Sequence, residues 1–136
     1  MNLLKHYING NDVEGGSRKG KVYNPATGDA ISEVTLGDNV LLEIAIKNSK
    51  EVLDKWKYTT PAKRASIMFN YKKLLEDNSD RIAELVSKEH GKTIADAKGS
   101  LQRGIEVVEY ACGLPNLLKG EFSNQVGSGI DTFSMK

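Results

Sequence analysis

Three stretches of this chain bring chemically capable residues close together. In Gly15-Gly16-Ser17-Arg18-Lys19-Gly20-Lys21, the residues Gly15, Gly20 and Lys21 stand at the spacing of a phosphate-binding loop. Such a loop also needs a Ser or Thr after the lysine to hold magnesium, and a helix whose first N–H groups receive phosphate. Val22 occupies that position and no helix start follows, so a β-turn is expected here. Gly91-Lys92-Thr93 ends correctly for the same motif but has Val86 where the first glycine belongs. Gly127-Ser128-Gly129 reads as a turn.

Cys112 is the only thiol. A nucleophilic cysteine needs an electropositive, accessible setting that favours thiolate. Cys112 falls on the apolar side of a long helical pattern, distant in sequence from His6 and His90, and reads as a small buried hydrophobe. Glu106 and Glu109, three apart, could pair for acid–base work, but nothing nearby supplies the desolvation that would raise one pKa. They read as a solvated flank. His90 belongs to a helix's last turn, where a cation suits the dipole, and no H-E-x-x-H spacing accompanies it. Arg103 differs. It precedes Gly104, which removes side-chain bulk beside it, and a guanidinium can grip a carboxylate through two parallel hydrogen bonds. On the residues alone, a surface arginine remains the simpler reading.

The elements that must carry these residues change character along the chain. Residues 1–37 are rich in Gly, Asn and β-branched side chains and predict three short strands. Asp38 or Asn39 caps a first helix; Thr60-Pro61 starts a second, Ser79 a third, and Thr93 with Asp96 a fourth that Pro115 ends. Ile130–Met135 alternates like a terminal strand. The expected fold class is α/β, in the manner of an α+β fragment, with no strand-helix-strand succession of Rossmann type. The apolar stripes of the second and fourth helices exceed what three short strands can cover. The last strand runs to Lys136 without a turn or tail, which suggests a cut edge.

Composition narrows the function classes. The 136 residues suit one domain, and 39% hydrophobic with 27% charged residues argues against disorder. Nineteen Lys+Arg against eighteen Asp+Glu give a formal charge of +1, without the basic footprint of a nucleic-acid protein. One cysteine excludes a disulfide framework and a Cys-based zinc site. Met1–Tyr7 has neither the basic stretch nor the apolar core of a secretory leader, and no apolar run approaches the ~18 residues of a membrane span. A cytoplasmic chain without membrane or nucleic-acid partners is expected.

Tyr7-Ile8-Asn9-Gly10, Tyr23-Asn24-Pro25-Ala26-Thr27-Gly28, Trp56, Pro61-x-x-Arg64 and Glu89-His90-Gly91-Lys92-Thr93 closely resemble the N-terminal segment of the aldehyde dehydrogenase superfamily. The run Arg103–Gly113 and the segment Leu117-Leu118-Lys119-Gly120-Glu121 look like its CoA-acylating methylmalonate-semialdehyde branch. The resemblance covers essentially the whole chain. Asp12 departs from it, since the superfamily usually has Trp after the Asn-Gly turn.

The resemblance implies an incomplete aldehyde dehydrogenase fold without the full Rossmann-like sheet. Residues 1–120 would be the N-terminal part of the NAD-binding domain, and 121–136 the start of an arm that joins subunits of a homo-oligomer. The complete enzyme would oxidise a semialdehyde with NAD and pass the acyl group to CoA with loss of CO2, through a cysteine nucleophile and an oxyanion site lying beyond Lys136. Arg103 would bind the substrate's carboxylate. No catalytic, cofactor-binding or metal-binding residue is assigned within the chain, and no cofactor is expected for it alone. Two other readings share much of this sequence: a fragment of a non-acylating aldehyde dehydrogenase, and a non-catalytic module that binds a full-length homologue. The absence of a Gly-rich strand-to-helix turn, a nucleophile with its base and an oxyanion site generates a direct expectation. Purified residues 1–136 should reduce no NAD with any aldehyde and bind NAD without saturation. NADH formation above a buffer blank, abolished by Cys112→Ala, would overturn it.

Overall fold

The computed structural model describes residues 2–136. Two compact units emerge, Met1–Thr59 with Asp80–Gly99, and Thr60–Ser79 with Ser100–Lys136. Five short strands precede the first helix: β1 (Asn2–Leu4), β2 (His6–Ile8), β3 (Asn11–Val13), β4 (Lys19–Tyr23) and β5 (Ala30–Thr35). β2 and β3 form an antiparallel ribbon pairing His6 with Val13 and Ile8 with Asn11. Asn9 and Gly10 close it at φ of 51° and 78°, the twist that a two-residue hairpin requires. β5 is the centre of a three-stranded sheet, parallel to β1 and antiparallel to β4. The β4–β5 connection is the Asn24–Gly28 turn, where Asn24 Oδ1 accepts from the Ala26 N–H at 2.9 Å and the Gly28 N–H reaches the Asn24 carbonyl at 2.8 Å.

Five strands replace the three expected. Val13 belongs to its own strand, and Asn2–Leu4 adds a parallel partner to β5. Three-residue strands fall below the length at which alternation can be read, and a parallel pairing between residues thirty apart leaves no local signal. Near the other end the single expected strand is a hairpin, β6 (Phe122–Gly127) with β7 (Ile130–Phe133). Its tip is the Gly127-Ser128-Gly129 turn anticipated from composition, with Gly129 at φ 74°.

The helix starts follow their capping residues. α1 (Asn39–Trp56) is capped by Asp38, whose Oδ1 accepts from the Leu41 N–H at 2.9 Å. α2 (Pro61–Asp77) is capped by Thr60, with proline in the first turn. α3 (Ser79–His90) takes Ser79 into its first turn and ends at Gly91, φ 82°. α4 (Ile94–Cys112) begins where Thr93 Oγ1 accepts from the Asp96 N–H at 3.2 Å and donates to the Asp96 carboxylate at 3.0 Å. Pro115 follows the end of α4 and lies inside a fifth, single-turn helix, α5 (Leu114–Leu117), that the sequence did not announce.

Burial is sparse. In the first unit the buried residues are Thr35, Leu41, Ala83 and Ala97; in the second they are Ala65, Ile105 and Cys112. No large side chain among the described residues is fully enclosed. Long apolar side chains stay in solvent on every long helix, among them Val40 and Leu53 of α1, Phe69 and Leu74 of α2, Leu85 of α3 and Val107 of α4. The excess expected on the second helix is present in Ile67, Tyr71 and Leu74, whereas the apolar side chains of the fourth helix's stripe are buried or half-buried and its exposed Val107 lies on another face.

Gly91 and Gly99 make opposite cases. At Gly91 the left-handed φ disfavours any Cβ, and one would stand 2.9 Å from Pro25 Cγ. At Gly99, inside α4, a Cβ would meet nothing within 4 Å. Gly91→Ala should cost about 1–2 kcal/mol and Gly99→Ala should gain up to about 1 kcal/mol. The two should shift the urea midpoint of helical ellipticity in opposite directions, and shifts of the same sign would contradict this packing.

Candidate functional site

Arg103 is exposed on α4, in the portion of that helix belonging to the second unit. Its Nη2 donates to Ser100 Oγ at 3.5 Å, a weak contact one turn back, and it has no ion pair among the described residues. Gly104 is exposed, and a Cβ there would meet nothing within 4 Å. Helical spacing puts Val107 and Tyr110, four and seven residues on, beside Arg103. They are 69% and 66% exposed. The result is an accessible guanidinium with an open flank and two large apolar side chains along one face. That surface can take a small aliphatic molecule bearing a carboxylate. Val107 and Tyr110 were not singled out in the sequence because the helix's apolar count was absorbed by the opposite, inward stripe of Ala97, Ile105 and Cys112.

The other candidates resolve as structural groups. Cys112 is buried, and its thiol donates to the Val108 carbonyl at 3.3 Å within its own helix. Glu109 lies 3.6 Å from Lys72, which also holds Glu76 at 2.8 Å. The hydrogen bond that Lys72 donates to Glu76, with the charge of Glu109, keeps the Lys72 ammonium above the usual lysine range. Glu106 is exposed and belongs to no such pair among the described residues, so the two glutamates form no acid–base couple. His90 is exposed, with Lys88, in the last turn of α3. No group of three or more His, Cys, Asp or Glu among the described residues is placed to hold a metal ion. Among the described residues no helix is long and apolar enough to cross a membrane.

The glycine-rich stretch at 15–21 is a packing device. A Cβ on Gly15 would collide with the Leu41 side chain, and one on Gly16 with the Leu36 carbonyl. Lys19, Gly20 and Lys21 run along β4. The one strand-to-helix connection among the described residues, β5 to α1, has a single glycine, Gly37, and Asp38 already places a carboxylate on the helix N-terminus. A dinucleotide pyrophosphate needs that end bare and approached by glycines. That connection therefore lacks the glycine-rich, bare helix end of a Rossmann-type site.

Two buried nitrogens among the described residues have no hydrogen-bond partner, His6 Nε2 and Arg64 Nε. Arg64 lines a 120 Å³ hollow between α2 and α5 with Ala65, Met68, Ala111, Leu114 and Leu118. Its place in the Pro61-x-x-Arg64 motif was legible in the sequence, but its burial was not.

The model of the aldehyde dehydrogenase family matches residues 13–136. The chain belongs to the aldehyde dehydrogenase family. It is 49% identical over 134 residues to a malonate-semialdehyde dehydrogenase of Pseudomonas aeruginosa, covering 98% of this chain and 27% of that protein. A solved methylmalonate-semialdehyde dehydrogenase from Oceanimonas doudoroffii superposes with a TM-score of 0.91 at 47% identity, over 99% of this chain and 28% of that one. A Sinorhizobium meliloti protein described as a methylmalonate-semialdehyde dehydrogenase, solved in complex with NAD, superposes at 0.90 with 43% identity, over 99% of this chain and 28% of its own. The chain thus spans little more than a quarter of the length of the relatives it matches, and it corresponds to an N-terminal segment of the aldehyde dehydrogenase fold.

Proposed function

We propose that this chain is the N-terminal portion of an NAD-dependent, CoA-acylating (methyl)malonate-semialdehyde dehydrogenase that acts in the cytoplasm as a homo-oligomer. The observation that carries this reading is the 49% identity, over nearly the whole segment, to a malonate-semialdehyde dehydrogenase. The overall reaction would convert the semialdehyde, NAD and CoA into an acyl-CoA, NADH and CO2. NAD is proposed because the similar Sinorhizobium meliloti protein was solved with it. Because the β5–α1 connection lacks a Rossmann-type helix end, NAD would be held by polypeptide beyond this segment, and the segment alone would be inactive. Residues 1–120 would contribute outer strands and helices to the NAD-binding domain. Residues 121–136 would begin the arm between subunits, which fits the exposed Phe122, Val126, Ile130 and Phe133 on the β6–β7 hairpin.

Within the reaction, Arg103 would bind the carboxylate that distinguishes these semialdehydes from simple aldehydes. Its exposure, the open flank at Gly104 and the neighbouring Val107 and Tyr110 support that assignment. A fixed carboxylate would orient the substrate's chain along the helix and leave the aldehyde end free to react elsewhere.

The test uses the complete enzyme that carries this segment. Losing a charge-assisted bidentate pair costs roughly 1.5–3 kcal/mol, or about 10- to 150-fold in kcat/KM. Arg103→Ala and Arg103→Lys should therefore lower kcat/KM for malonate semialdehyde by that factor while propanal changes little. Equal losses for both substrates, together with a lower Tm, would make Arg103 a structural brace and remove the carboxylate role.

A further inference from the structure

Arg64 is the one polar residue lining the hollow between α2 and α5. Its Nε is buried and has no hydrogen-bond partner. Nor does its guanidinium belong to an ion pair among the described residues. On α2 the positions three and four away hold Thr60, Pro61, Ile67 and Met68, none of them acidic. A buried N–H without an acceptor has lost its hydration and gained nothing in exchange. An acceptor that enters the hollow would meet a donor already stripped of water.

The rest of the wall is apolar. Ala65 and Met68 of α2, Ala111 of α4, and Leu114 and Leu118 around α5 supply most of it, all within the second unit. Pro61 and Pro115, whose rings fix φ, stiffen it. Leu114 and Leu118 are themselves exposed, so the hollow can be entered from solvent. Its 120 Å³ gives room for about four groups of water size, at ~30 Å³ each. One cationic donor suits one carboxylate. A phosphate or a second carboxylate would set further charge against side chains that offer no donor. An alkyl chain of about two or three carbons suits the remaining space.

We infer that this hollow binds a short aliphatic monocarboxylate about the size of propanoate, its carboxylate on Arg64 and its alkyl chain against Met68, Ala111 and Leu118. Ala111 stands eight residues beyond Arg103 on α4, roughly 12 Å along the axis at 1.5 Å per residue. A molecule this short does not span that distance, so the site goes beyond the substrate reading of Arg103.

The test uses the complete enzyme that carries this segment, with Arg103→Ala in place so that Arg103 offers no carboxylate site. Saturation-transfer NMR on the propanoate methyl group follows binding. The signal should rise to a plateau with propanoate concentration, whereas propan-1-amine, a cation of the same carbon chain, should give no saturable signal. Arg64→Met keeps an unbranched chain without charge, and Ala111→Leu fills the hollow. Each should raise the Kd for propanoate at least tenfold. Because Arg64 loses no partner, the ligand-free Arg64→Met enzyme should melt no lower than its parent. No saturable signal in the parent would overturn the inference, as would a Kd raised less than tenfold in either variant. A ligand-free Arg64→Met enzyme that melts several degrees lower would make Arg64 a brace to another part of the chain and overturn it too. The role of Arg103 is read separately from kcat/KM, so each assignment can fail alone.

Discussion

Apolar surface that the chain does not bury by itself is the constraint on which the rest depends. The buried apolar residues are three alanines, a cysteine, one leucine and one isoleucine. Small side chains give helices close approach but little transfer free energy, since burial stabilises in proportion to area, about 25 cal/mol per Å². The large contributors Phe69, Tyr110, Leu42, Leu53 and Leu74 are more than half exposed, and Trp56 nearly so. The local instructions for each element are nonetheless strong. Asp38, Thr60 and Thr93 cap their helices, Gly91 stops one, and Asn9-Gly10 closes a ribbon. Elements this well specified, over a core this thin, support the proposal that the chain is part of a larger core. The comparisons give the same proportion, with the chain covering little more than a quarter of its relatives.

That division explains what could be read from the sequence. Helix starts rest on one residue and its next turn, so Asp38, Thr60 and Thr93 could be named directly from the chain. The Gly91 stop and the Gly127–Gly129 turn are equally local. Pairings between distant three-residue strands are not local, and β1 alongside β5 was invisible for that reason. The β6–β7 hairpin was half legible, because Ile130–Phe133 alternates clearly. Phe122–Gly127 contains a register shift and Gln125 at φ 50°, which break the alternation.

The site divides along similar lines. Arg103 was singled out by its residue type and the glycine beside it, and the role proposed for it came from resemblance. The apolar company of Val107 and Tyr110 needed the structure, since only burial separates the two faces of an apolar helix. The glycines at 15 and 16 show the converse error that spacing invites. They look like a phosphate cradle, yet the Leu41 side chain and Leu36 carbonyl beside them explain their smallness fully. Asp38 makes the same point electrostatically, because a helix end holding a carboxylate has no need of a phosphate.

Equilibrium unfolding of residues 1–136 in urea, followed by far-UV ellipticity and by binding of an apolar dye, tests most directly whether this is part of a larger core. The account predicts a shallow transition, with a slope below the ~1–3 kcal/mol per M of small cooperative domains, and strong dye binding before it begins. A steep two-state transition from a monomer that binds no dye would show that the chain closes its own core, and would contradict the account.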